Sequence, residues 1–91
     1  MRKITVFAIA AVLIGTAVTA QAGSLGRPCT TAPESQWLPM KDLQAKVEAL
    51  GYKVQKAKLK KACGELYTID KNGAQVELFV DPTNGNIVGQ L

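Results

Sequence analysis

The fold class that this chain predicts is α+β: one helix packed on an antiparallel sheet of three to four strands, as a two-layer sandwich. Three observations carry the prediction. Met40, Leu43, Val47 and Leu50 recur at spacings of three and four, which puts them on one helical face. Val76, Leu78 and Val80 alternate with Gln75, Glu77, Phe79 and Asp81, the pattern of a sheet with one buried face. The links between apolar segments are short and rich in Asn, Gly and Pro, which favours hairpins and so antiparallel neighbours. A single helix covering the apolar face of such a sheet makes two layers.

The chain opens on a targeting pattern. Arg2 and Lys3 precede an apolar run over 4–18, weakened only by Thr5, Gly15 and Thr16, and Ala20-Gln21-Ala22 is a small-x-small cleavage site. This is the three-part order of a secretory signal peptide. The run is too short and wrongly flanked for a transmembrane anchor. No cysteine follows the site directly, which argues against a lipoprotein-style attachment. Cleavage after Ala22 is expected, with 1–22 removed, an extended arm over 23–35 and a folded domain over 36–91. A periplasmic or secreted location follows, with no stable membrane insertion after cleavage. Arg2 and Lys3 leave with the signal and no acidic residue does, so the formal charge falls from +4 to +2. That balance argues against a nucleic-acid partner, which calls for a strongly basic face.

A domain of this size buries only about 60% of its unfolded surface and gains from a staple. Cys29 and Cys63 are the two cysteines of the chain. An even count in an exported chain predicts a structural disulfide between them. The bridge closes a loop of about 34 residues, worth roughly 3.8 kcal/mol in the chain-entropy model. A redox pair or a zinc site is disfavoured, since there is no CxxC, no histidine and no third sulfur.

The arm over 23–35 contains Pro28 and Pro33, has no period, and is expected to be held only by Cys29. In the helix over 37–50, Pro39 suits the first turn, Asp42 favours the dipole and Gly51 fits the left-handed position after the last turn. Trp37 is expected to fold back on the helix as a core-edge staple. The strand over 52–60 changes parity between Val54 and Ala57, which one extra residue near Gln55-Lys56 reconciles as a bulge. Its crowd of lysines (53, 56, 58, 60 and 61) reads as protection of a sheet edge, with a patch for an anionic partner as the sharper alternative. Strands over 65–70 and 75–81 flank Lys71-Asn72-Gly73, which supplies the positive-φ residues of a hairpin turn. If Leu66 and Thr68 share the face of Val76, Leu78 and Val80, then Tyr67 and Ile69 lie opposite with Phe79; the reverse assignment stays open. Asp81 to Gly85 forms a second turn, and 86–90 a short last strand.

The ordered set of Trp37, Leu50-Gly51-Tyr52-Lys53-Val54, Glu65-Leu66-Tyr67, Asp70-Lys71-Asn72-Gly73 and Val76-Glu77-Leu78-Phe79-Val80-Asp81-Pro82-Thr83-Asn84-Gly85 resembles the PepSY domain family, across about 35–88. The resemblance implies an α+β fold and a non-catalytic role. Such domains occur in protease propeptides, where they look like inhibitors or folding aids, and as small exported proteins. It carries over no catalytic or binding residue. Gly64 departs from the family pattern, which often has an aromatic residue there. That departure predicts a gap in the sheet face, partly filled by the disulfide arm.

Three function classes follow. The first is an exported protein-interaction module of the bacterial cell envelope, restraining a peptidase or serving as an accessory sensor subunit, with Tyr67, Ile69 and Phe79 as its partner surface. The second is an enzyme, which the sequence does not favour: it has no histidine base, and its carboxylates are scattered or tied to turns. Glu65 and Glu77 are placed on the outer sheet surface as solvated charges. The third, kept as the alternative to the first, is a small-ligand or metal binder without activity. Asp81 to Asn86 is rich in oxygens, yet misses the calcium-loop spacing. No cofactor is expected.

Overall fold

The computed structural model describes residues 23–91. The expected signal and its cleavage site, 1–22, lie outside the described residues. A single 3-10 turn (Glu34–Gln36) leads to helix α1 (Met40–Ala49) and strands β1 (Lys53–Lys60), β2 (Cys63–Ile69), β3 (Gln75–Val80) and β4 (Ile87–Gln90). The strands lie in sequence order in one antiparallel sheet, and α1 packs against β1 and β2. The α+β reading therefore holds, with four strands.

Helix α1 starts at Met40, where its apolar period begins, and not at 37 as expected. Pro39 is its cap, extended at φ −60 and ψ 150, and its carbonyl accepts from the N–H of Asp42 at 2.9 Å and of Leu43 at 3.2 Å. Leu43 and Val47 are fully buried. Leu50, expected on the same face, is 56% exposed. It sits at the cap, where the chain leaves the helix axis through Gly51 at φ 105. Leu38 packs on the core instead, held by its N–H to the Pro82 carbonyl at 2.8 Å. Trp37 is half-buried, and its indole N–H donates to the Ala32 carbonyl at 3.0 Å. It thus ties the arm to the start of the domain.

The register assigns the two sheet faces. Leu66 pairs with Leu78 and Thr68 with Val76; Leu66, Leu78 and Val80 join Leu43 and Val47 in the core. Tyr67, Ile69 and Phe79 have the opposite parity. The β1–β2 register shifts between Val54 and Lys56, so that Val54 and Ala57 both reach the core. The expected bulge is at that place. Strand β1 is a sheet edge, with Lys53, Lys56 and Lys60 exposed.

Gly64 leaves no gap. A Cβ there would lie 2.7 Å from Val80 Cγ2 and 3.3 Å from Leu43 Cδ1. The residue next to Cys63 necessarily points to the other face, so the disulfide does not share its space. Glycine lets α1 approach the sheet.

Each turn has its own chemistry. Between β2 and β3 the Asp70 carboxylate accepts from the N–H of Asn72 at 2.8 Å and of Ala74 at 2.9 Å, and of the expected positive-φ residues only Gly73, at φ 85, is one. Between β3 and β4 the Asp81 carboxylate accepts from Thr83 N–H at 2.8 Å and from its hydroxyl at 2.6 Å. Pro82 is fully buried there. These bonds account for the oxygens of the Asp81–Asn86 segment as turn chemistry.

The β1–β2 turn was not legible in the sequence. Lys60 pairs with Cys63, leaving Lys61 at φ 51 and Ala62 at φ 62 as a two-residue turn. Both hold the left-handed region without being glycine, at about 1–2 kcal/mol each. Ala62→Gly relieves that strain while loosening the unfolded chain, so a net gain of up to about 1 kcal/mol is expected. A rise in the urea midpoint at unchanged slope checks it.

Candidate functional site

The sheet face away from α1 is partly roofed by the N-terminal arm. Cys29, Cys63 and Phe79 form a second buried cluster, flanked by Leu25 and Val88. The disulfide joins Cys29 to Cys63 with a Cα–Cα distance of 4.9 Å, as the cysteine count predicts. The arm is not held by Cys29 alone. The N–H of Cys29 donates to the Ala62 carbonyl at 3.3 Å. Leu25 lies over Gly89, where a Cβ would come within 2.5 Å of its Cδ1. The Gly23 nitrogen donates to Glu77 Oε1 at 3.0 Å.

The expected partner surface is therefore divided. Phe79, expected to be exposed, is 1% exposed, because Leu25 and the disulfide close over it. Tyr67 and Ile69 lie further along β2, beyond that cover, and both are half-buried. Ile69 stands opposite Lys53 of β1 and Gln75 of β3.

The two carboxylates expected in solvent are buried. Glu65 is 3% exposed and Glu77 8%. Glu65 pairs in register with Phe79 and Glu77 with Tyr67, so they stand diagonally on the outer face. Lys58 reaches Glu65 Oε1 at 4.0 Å. Glu65 Oε1 and Glu77 Oε2 have no hydrogen-bond partner among the described residues. A cleft of about 510 Å³ runs between the arm and the β1–β2 hairpin, lined by Leu25, Arg27, Pro28, Lys61 and the disulfide's Cys63, with Glu65 at its wall. Alternation alone placed both carboxylates on this face; their burial depends on the path of the arm, which has no period to read. Gly89 opposite Phe79 is a mark of close approach on this face.

Tyr67 sits between these groups. Burial, then the charges of Glu77 and Glu65, push its phenol above its ordinary value of 10.0. Lys56 and Lys58 hold their ammonium groups 5.7 and 5.8 Å from its ring centroid. A phenol that stays neutral to higher pH when folded contributes stability that is full below the unfolded value of about 10 and is lost as pH rises through the folded value. Tyr67→Phe is expected to flatten this alkaline loss, measured as stability between pH 9 and pH 11.

The PepSY family model described as "Peptidase propeptide and YPEB domain" matches residues 6–90. No curated protein and no solved structure matches the chain. Among the described residues, no helix is long and apolar enough to cross a membrane.

Proposed function

Because the chain belongs to the peptidase propeptide and YPEB domain family, we propose that it is an exported, non-catalytic interaction module of the bacterial cell envelope that restrains a peptidase. The family match over 6–90 carries the reading: the matched module is of the propeptide type. Two further features support it. The chain contains no histidine and both cysteines are tied in the disulfide, so neither supplies a nucleophile or base. Half-exposed Tyr67 and Ile69, rimmed by Lys53 and Lys56, leave a mixed apolar and basic strip beside the arm. An accessory sensor subunit is the second form of the same reading. The apolar segment before Gly23, with its small-x-small site, supports export to the periplasm or beyond.

The test is site-directed photo-crosslinking in envelope extract. A photoreactive residue at 69 is expected to capture a peptidase, while one at Lys41 on the wet side of α1 captures none. Equal capture from both positions, or capture of no peptidase from 69, would sink this surface.

One observation favours the alternative of a small-ligand binder: the cleft beside Arg27 and Lys61, with buried Glu65 at its wall, whose Oε1 has Lys58 at 4.0 Å but no hydrogen bond among the described residues. A ligand with both a cationic and an anionic group would match that lining. Amide shifts confined to 25–29 and 60–65 on titration with zwitterionic amino acids would establish it; unmoved spectra would dispose of it.

A further inference from the structure

The residue expected to become the first of the mature protein is also the residue whose nitrogen meets a buried carboxylate. We propose that Glu77 is the receptor for the α-ammonium of Gly23, and that signal cleavage thereby locks the arm over the sheet. The proposal rests on the export reading above. Water adds across the Ala22–Gly23 bond; Ala22 leaves as a carboxylate, and the Gly23 nitrogen takes up protons and becomes an ammonium. A neutral amide with one N–H is replaced by a cation with three.

Glu77 is built to receive such a group. It is more than nine-tenths buried. Its Oε1 already accepts from the Gly23 nitrogen at 3.0 Å, and its Oε2 has no partner among the described residues. The ion pair found among those residues joins Lys58 to Glu65, and Glu77 has no cation in reach. Its other neighbours do not supply one: Tyr67 is neutral, and Glu65 adds to the negative charge. A buried carboxylate that meets an amide N–H and the neutral Tyr67 phenol but no cation is costly, and an ammonium at the same place offsets its charge. That ammonium also has a donor to spare for Oε2, and such charge-assisted bonds are about twice as strong as neutral ones.

The seat fits closely around residue 23. A Cβ at position 23 would collide with Leu91 Cδ1 and lie 3.8 Å from Glu77 Oε1. The Leu91 backbone exchanges bonds with Glu77 at 2.9 and 3.1 Å, while its side chain is 64% exposed and free to turn aside. The small-x-small rule constrains Ala20 and Ala22, on the other side of the cut. It makes no demand on residue 23. The cleavage pattern and the hydrogen bond are separate observations that converge on one nitrogen.

After cleavage the arm is pinned at its start, by Gly23 on Glu77, and midway, by Cys29 on Cys63. Leu25, between them, stays over Phe79. The unprocessed chain has the second pin but offers Glu77 only an amide N–H from residue 23.

Three measurements test this. N-terminal sequencing of the native protein from the envelope fraction is expected to begin at Gly23; any other start overturns the proposal together with the cleavage reading. The chain released from a cleavable tag to begin at Gly23 is then compared with one that retains Ala22. The first is expected to melt about 5–10 °C higher, as a domain of this size shifts by about 4–8 °C per kcal/mol. Glu77→Gln is expected to erase the difference. Finally, acetylation of the Gly23 amine by a succinimidyl ester at neutral pH is expected to be at least about 10-fold slower in the wild type than in Glu77→Gln. A native start at Gly23 with equal melting of the two chains, or with equal acetylation rates, overturns the pairing while leaving the export reading intact.

Discussion

Replacing Cys29 and Cys63 with Ala is expected to remove about 4 kcal/mol of folding free energy. The disulfide closes a loop with a sequence separation of 34, which sets the loss at roughly 3.8 kcal/mol through the freedom returned to the unfolded chain. A domain of this size has a total stability near the lower end of about 5–15 kcal/mol, so the variant stands close to unfolding. There is also a local consequence. Without the bridge, the Gly23 contact, the Cys29 N–H bond, the packing of Leu25 and the Trp37–Ala32 bond hold the arm, and Phe79 loses much of its cover. Denaturant melts with and without reductant measure the first effect, and dye binding to newly exposed apolar surface measures the second. A reduced protein that loses under about 1 kcal/mol and binds no dye would contradict both.

Phe79→Ala is expected to cost about 3–5 kcal/mol, the range for a buried aromatic truncated to a methyl. A residue placed on an exposed partner surface would cost within about 0.5 kcal/mol. The two readings of Phe79 are thus well separated by one equilibrium melt. Ile69→Ala is the control: Ile69 has the same face parity but lies outside the arm's cover, half-buried. Its truncation is expected to cost clearly less. Similar losses at the two positions would mean that the arm does not divide the face as described.

These contrasts show where sequence reasoning reached and where it stopped. The helix, the face shared by Val76, Leu78 and Val80, and the bulge near Gln55 follow from local periods, because each is set by residues within a few positions of one another; the side that Leu66 takes comes from its pairing with Leu78 across the hairpin. The disulfide followed from cysteine count and the expected compartment. Leu50 failed because a period does not say where a helix ends, and Gly51 turns the chain one residue later. The Lys61-Ala62 turn failed because neither residue is a turn former; the pairing of Lys60 with Cys63 imposes their backbone. Phe79, Glu65 and Glu77 share one cause. Alternation assigns a face, but whether that face meets water depends on the arm, an aperiodic segment that returns from far along the chain. Gly23, Gly64 and Gly89 are the marks of such close approaches. The sequence offers each only as an absent side chain.

The central claim is that this chain restrains a peptidase through the sheet face beside its arm. The most direct measurement is the rate at which the peptidase captured from position 69 hydrolyses an unfolded protein substrate, as purified 23–91 is added. A saturable fall in rate, weakened at least about 10-fold in apparent affinity by Ile69→Asp, is the predicted result. A rate unchanged at saturating protein, or hydrolysis of the substrate by 23–91 alone, would contradict it.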